Sequence, residues 1–313
     1  LYKFLSIFDS DMYPMKAAFY APVILSALCI IPAFFIAKKI GGNIGGFFAA
    51  ILVAIHPSFL TRTAGGFADT DPYNVLFPLL ITWLFMEAFD ARKKKLTILL
   101  SAGAGLLVGI YSFTWGGWWY ILDFLLAVAG AYFVYYIFIH RNDLKNRKTL
   151  AKIKDVLILI VIFFVSSAIF TSAFSSFDNF KRIITAPIGF TQIKAVGKST
   201  IWPNVYTTVA EQNEISIRGA INQIGGTFMF LLSVIGIGLT LLKKDKHGNI
   251  DPKYAILLFW WFGATLYAST KGVRWVLLLV PAFSIAFGVF AGSVVKYLGE
   301  QMSKELKLSK MVS

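Results

Sequence analysis

Acidic residues are scarce in this sequence, which holds 16 Asp and Glu against 30 Lys and Arg in 313 residues, with charged residues only 15% of the chain. That shortage, beside 57% hydrophobic residues and a mean hydropathy of +0.69, excludes an ordinary soluble domain. Cysteine is nearly absent as well. The single one, Cys29, lies within the first apolar run, so no disulfide forms within the chain and the redox compartment cannot be read. There is no repeat of fixed period and no Gly/Ser-rich or Pro-rich linker to mark off a second soluble domain. The chain also lacks an initiator methionine and a secretory signal. It opens at "LYKFLSIFDSD", and both ends look cut, as if these residues were the middle of something larger.

What is present instead is apolar length. A helix crossing a hydrocarbon core of about 30 Å needs about 20 mainly apolar residues. Nine such runs stand near 17–37, 43–60, 73–90, 96–113, 117–139, 155–175, 220–242, 254–270 and 273–296. The expected fold is an all-α polytopic membrane protein, with about nine transmembrane helices in residues 1–299, a long external loop at about 176–219, and a basic tail, 300–313, at the cytoplasmic surface. The net charge of +14 does not signal nucleic acid, because the basic residues concentrate in alternate loops. They follow the first run (Lys38, Lys39), the third (Arg92 to Lys95), the fifth and the seventh, and resume at Lys296. Such alternation is the cytoplasmic bias of a multi-pass cell-membrane protein. It puts the start of the chain outside and its end inside.

On that topology "TRTAGGFADTDPYN", Thr61 to Asn74, falls on the external side. Asp69 and Asp71, two residues apart on a short non-helical turn, have the oxygen donors that suit one hard divalent cation, Mg²⁺ or Mn²⁺. The same pair also reads as a solvated cap for the helix opening near Pro72. Asp9 and Asp11 repeat the spacing with nothing around them to add a second clue. Glu211 stands on the same side in the long loop, with Glu214 three residues on. Arg274, in the last external turn, either anchors a span by snorkelling or offers a guanidinium to a phosphate. Together these residues describe a metal-assisted displacement at the outer membrane surface, with a phosphate leaving group carried by lipid.

Other residues carry plainer readings. Asp123 lies inside a span, where an ionisable group is costly, and either pairs with a neighbouring helix or serves donor binding. The aromatics of "WGGWWY", Trp115 to Tyr120, form an interfacial belt or touch a lipid-linked sugar. His56, before Pro57, reads as a hydrogen-bonded packing residue. The glycines of "GGNIGG" and "GAGLLVG" read as helix packing. The long loop is expected to order when substrates bind.

Four motifs now stand in order: "RTAGGFADTDPYN", "GIYSFTWGGWWY", "TTVAEQ" and "KGVRWVLLLVP". In that order they resemble the catalytic subunit of oligosaccharyltransferase, most closely its archaeal form. The resemblance implies a GT-C glycosyltransferase that moves an oligosaccharide from a dolichol-phosphate or dolichol-pyrophosphate carrier to asparagine in the Asn-X-Ser/Thr sequons of an acceptor polypeptide. It implies that Asp69, Asp71 and Glu211 ligate Mn²⁺ or Mg²⁺, that Asp69 and Glu211 also meet the acceptor amide, and that Arg274 contacts the donor's phosphate. The family's Thr-Ile-X-Glu motif maps onto Thr208 to Glu211, with Val209 in the isoleucine place. Arg218 does not take over the acceptor-reading role of a bacterial arginine, because the spacing differs. The family's first acidic motif belongs upstream of Leu1, and its Trp-Trp-Asp-Tyr-Gly motif belongs to a C-terminal domain that nothing after Gly299 resembles. The expectation is a transmembrane core. The rival readings are another GT-C transferase using a lipid-phosphate sugar, and a lipid transporter.

Overall fold

The computed structural model describes residues 2–191, 209–243 and 250–305, and helix is the repeating element throughout them. The helices are α1 (Tyr2–Leu5), α2 (Pro14–Leu28), α3 (Ile30–Ile55), α4 (Pro57–Leu60), α5 (Asp71–Asp90), α6 (Lys94–Thr114), α7 (Trp119–Ile139), α8 (Arg147–Phe174), α9 (Phe177–Phe180), α10 (Arg182–Thr191), α11 (Ile217–Gln223), α12 (Gly226–Thr240), α13 (Lys253–Thr270) and α14 (Val276–Glu305). Each of the nine expected runs is helical. Among the described residues, six helical stretches are long and apolar enough to cross a membrane, and α11 with α12, bent by 91° at their break, would add a seventh. Gly225 and Gly226, at φ 121° and 80°, supply backbone conformations at that bend that side-chain-bearing residues rarely adopt. Two boundaries differ from expectation. The last helix runs past Gly299 to Glu305, and the stretch from 176 that was expected as an external loop is largely helical where described, with α9 and α10 in it and α11 at its far end.

The apolar stretch Pro14–Ile55, 42 residues long, does not run straight. At Gly42 the backbone leaves the helix (φ 71°, ψ −172°). A Cβ placed on Gly46 would lie 2.8 Å from the carbonyl oxygen of Phe34, whereas in a straight helix those residues would be about 18 Å apart. The arms 30–41 and 43–55 therefore fold back on each other, as two separate sequence runs required. Their glycines make a close seam with α14. A Cβ on Gly292 would meet the Gly41 oxygen at 2.1 Å, and one on Gly288 would meet the Gly45 oxygen at 2.4 Å. Gly105 and Gly109 of α6 do the same against Ser166 and Phe170 of α8. In a lipid setting, where apolar burial does not favour one helix partner over another, such backbone approach is what holds helices together.

The tip of the fold-back, the end of α5 and the start of α13 meet in an ionic cluster. Lys39 pairs with Glu87 at 2.8 Å and Asp90 at 2.9 Å, and Lys253 pairs with Asp90 at 2.7 Å and Asp251 at 2.5 Å. Close to the break at Gly42, the Lys243 ammonium donates to the Lys39 carbonyl. Burial pushes the Lys243 ammonium down to about 8, against the pull of Asp90. The carboxylates of "FADTD" lie at the other end of α5.

Candidate functional site

The chain between α4 and α5 is a run of turns, and it ends where Asp71 and Pro72 open α5, with Pro in the first turn where its missing N–H costs nothing. Asp69 turns one oxygen back on its own backbone, accepting from the Thr70 N–H at 2.6 Å and the Thr70 hydroxyl at 3.3 Å. Its other oxygen faces Arg274, whose Nη2 stands 3.1 Å from Asp69 Oδ2 and 3.1 Å from Asp71 Oδ1. Asp71 is fully buried, while the Asp69 side chain keeps 41% exposure. The paired aspartates are thus not equivalent: one is sealed under the guanidiniums and the other remains open to a substrate.

Glu211 arrives from far along the chain on a 3-10 turn, Ala210–Gln212. Two backbone bonds dock that segment onto the turn that carries Arg274: Ile215 N–H to Thr270 O at 3.3 Å and Val273 N–H to Asn213 O at 3.0 Å. The close approach leaves little room at Gly272, where a Cβ would lie 3.3 Å from Gln212 Oε1. Glu211 Oε2 then sits 3.6 Å from Arg274 Nη1. Its Oε1 sits 3.5 Å from Arg62 Nη1, which also donates to Asp71 Oδ2 at 3.1 Å. Asp69, Asp71, Glu211 and Arg274, expected together from the sequence, do converge. Among the described residues no three acidic, His or Cys side chains stand close enough to share one metal ion. The guanidiniums hold the carboxylates together instead.

Arg62 is the residue that sequence reasoning missed. Its only signal was position, on the side expected to be external and seven residues before Asp69, within a turn that has no periodicity to aim it. Thr208 lies outside the described residues. Glu214 and Arg218 are exposed and take no part. Asp9 is tied to Lys16 at 2.5 Å, and the donated bond from Lys16 holds its carboxyl below the usual range. His56 accepts from the Ser58 N–H at 3.2 Å and bonds the Ile224 carbonyl at 3.4 Å, a packing role. Asp123 keeps one buried oxygen without a partner among the described residues.

The aromatic belt expected at "WGGWWY" takes a different form. Trp118 is fully buried and donates to Asn179 Oδ1 at 3.4 Å, because α9 and α10 cover this corner. Trp115 and Trp119 line a cavity of about 490 Å³ with Tyr120, Phe124, Phe190 and Trp275. Phe190 of α10 lines it between them, with its ring 5.8 Å from that of Trp275 and 6.4 Å from that of Trp119. Trp275 is the direct neighbour of Arg274, so an apolar, aromatic chamber adjoins the charged cluster. A second cavity of about 440 Å³ lies between α2 and the Asp69 turn. The arrangement offers an open carboxylate, a shared guanidinium and an apolar chamber in sequence, which suits a substrate with a charged head and an apolar tail.

Comparison with known proteins supplies the family. The model of "Oligosaccharyl transferase STT3, N-terminal" matches residues 1–312. A dolichyl-phosphooligosaccharide-protein glycotransferase of Methanococcus voltae is 32% identical over 95% of this chain and 35% of its own length. The archaeal oligosaccharyltransferase AglB from Archaeoglobus fulgidus, solved with an inhibitory peptide and a dolichol-phosphate, superposes with a TM-score of 0.62 at 16% identity, over 98% of this chain and 43% of that one. The same enzyme solved with Zn and sulfate gives a TM-score of 0.57 at 15% identity, over 97% and 41%. The chain thus spans less than half the length of the relatives it matches, and shares the helical fold of the solved archaeal enzyme over that part. With a family model along nearly its whole length and a relative this similar across 95% of it, the chain belongs to the STT3 oligosaccharyltransferase family.

Proposed function

We propose that the protein transfers an oligosaccharide from a dolichol-linked phosphate or pyrophosphate carrier to the asparagine of Asn-X-Ser/Thr sequons, at the external face of the cell membrane. The observation that carries this reading is Arg274, which is bonded to both Asp69 and Asp71 while its neighbour Trp275 lines the aromatic chamber. A lipid phosphate has both features that such a place recognises: an anion for the guanidinium's paired N–H donors and an isoprenoid chain for the chamber.

The reaction forms a bond from the asparagine amide nitrogen to the anomeric carbon, breaks the bond from that carbon to the phosphate oxygen, and releases one amide proton. An amide nitrogen is a poor nucleophile because its lone pair is shared with its carbonyl. Asp69 and Glu211, the two half-exposed carboxylates of the cluster, accept the amide N–H bonds, localise the lone pair and take up the proton. Arg274 stabilises charge as it builds on the departing phosphate. Three all-oxygen donors gathered on shared guanidiniums also have the chemistry for a hard divalent cation. Asp69, Asp71 and Glu211 would be the ligands of Mn²⁺ or Mg²⁺ on that chemistry, although as they stand here their carboxylates are not grouped closely enough to share one ion, and the transfer step above does not depend on it.

The direct test uses the full-length protein in native membranes, a lipid extract as donor and a fluorescent Asn-X-Thr peptide. A glycopeptide is expected that vanishes with EDTA and returns with Mn²⁺. Sugar leaving the lipid for some other acceptor, with the peptide untouched, would instead favour a different lipid-phosphate-dependent transferase.

A narrower expectation concerns the chamber. Phe190→Ala removes the ring that spans Trp119 and Trp275, and should raise the KM for the lipid donor about tenfold, a loss of about 1.4 kcal/mol, with kcat unchanged. Kinetics with varied donor decide it, since a fall in kcat alone would separate the chamber from donor binding.

A further inference from the structure

The aromatic chamber has an ionised side chain in its wall that none of the four sequence motifs contains. Among the described residues that line it, Arg182 alone is charged. It opens α10, and its guanidinium lies over Gly116, where a Cβ would stand 3.6 Å from Nη1 and 4.0 Å from Nη2. Its neighbour Lys181 is compensated by Asp178 at 2.8 Å. Arg182 forms no ion pair with any described residue. The chain from Asn179 to Ala210 holds Lys181, Arg182, Lys194 and Lys198, and no Asp or Glu. Local stability does not account for the position either. A cation in the first turn of a helix opposes the helix dipole, and α10 has no acid in its first turn to offset it.

The neighbouring cluster differs in its charge. Arg62 and Arg274 face Asp69, Asp71 and Glu211, so two guanidiniums meet three carboxylates and the side chains sum to one negative charge. An anionic lipid head that approaches Arg274 meets the carboxylates as well. Arg182 offers a positive charge that no carboxylate divides, in the wall that Trp275 shares.

We propose that Arg182 binds the phosphate of the carrier lipid, and that it holds the carrier more tightly after transfer than before. The proposal rests on the lipid-phosphate reading given above. Breaking the bond from the anomeric carbon to the phosphate oxygen leaves the electron pair on that oxygen. A phosphodiester with one negative charge thereby becomes a phosphomonoester, whose second pKa of about 6 gives it nearly two at neutral pH. On a diphosphate carrier the same cleavage adds the same single charge. Attraction to a fixed cation scales with the charge it faces, and a guanidinium keeps its own charge throughout. The preference for spent carrier over donor therefore follows the phosphate alone. Its consequence is product inhibition: the spent carrier competes with the next donor for the chamber, and Arg182 sets how strongly.

The experiment measures displacement of a fluorescent dolichyl phosphate from the purified full-length protein in lipid nanodiscs. The competitors are dolichyl phosphate, its methyl diester, and dolichol. For the unaltered protein, the monoester should compete about tenfold better than the diester at about pH 8 and lose that advantage at about pH 5, where it too carries one charge. Arg182→Gln should weaken the monoester about tenfold and leave the diester within about twofold, while Arg182→Lys keeps part of the preference. A purely structural role for Arg182 would weaken both esters alike. That result, or an unchanged preference for the monoester in Arg182→Gln, would overturn the assignment of Arg182 and leave the lipid-phosphate reading standing. Dolichol competing as well as either ester would overturn both.

Discussion

Asp71→Asn is expected to lower peptide glycosylation about a thousandfold and to destabilise the fold, while Asp69→Asn lowers activity comparably and leaves the melting temperature where it was. Both aspartates contact Arg274, and their motif alone would not separate them. Burial does. Asp71 is sealed, and its two oxygens are the partners of two different arginines, Arg62 and Arg274. Removing its charge strands guanidiniums that have already given up most of their water. Breaking a buried ion pair from one side costs about 3 kcal/mol, because the remaining charge stays buried without compensation. Asp69 is 41% exposed, so solvent takes over when its charge is lost, and an exposed pair contributes little to stability. Thermal melts beside initial transfer rates decide the matter. Equal melting temperatures for the two variants would refute the division into a structural and a catalytic aspartate.

The second large effect lies away from the chemistry. Gly292→Leu should cost about 3 kcal/mol through overpacking and should abolish activity with it, whereas Gly299→Leu on the same helix should be silent. A Cβ at Gly292 would overlap the Gly41 oxygen and press on Gly45 at 2.8 Å, whereas at Gly299 nothing lies within 4 Å. Backbone atoms are the obstacle at the seam, so no side chain can rotate to relieve it. The effect on activity follows from connectivity. α14 begins directly after the turn that carries Arg274, and the second arm of α3 leads through His56 and α4 to Arg62. Prising these helices apart separates the two guanidiniums that hold the carboxylates. Detergent-stability assays on the two leucine variants would show it, and a stable Gly292→Leu protein would mean that the seam is looser than its geometry.

Much of this was legible in the sequence because bilayer physics writes in long runs. The apolar runs are helical where described, although six or seven helical stretches, not nine, are long and apolar enough to cross a membrane, and the break at Gly42 was legible because Lys38 and Lys39 cannot sit in the middle of a span. Asp69, Asp71, Glu211 and Arg274 could be named because each lies in a short motif and all were expected on one side. What escaped was decided by contacts distant in sequence. Arg62 has no neighbour pattern, and its role exists only because Glu211, 149 residues away, arrives beside Asp71. Trp118 reads as an interfacial aromatic until α9 and α10 cover it. The inequality of Asp69 and Asp71 is a matter of burial, which two residues in the same triplet do not reveal.

Helix α5 is tied by ions at both of its ends, Asp71 to Arg62 and Arg274, and Asp90 to Lys39 and Lys253. Its 20 residues span about 30 Å, the thickness of a typical hydrocarbon core. Two charged clusters that cannot enter hydrocarbon are thus held apart by a rod of fixed length, so the protein carries its own gauge of the bilayer. In a membrane thicker or thinner than the gauge, the rod cannot stretch. The mismatch has to be absorbed by tilting the whole bundle or by deforming the lipid around it, and the geometry of the carboxylate cluster is spared.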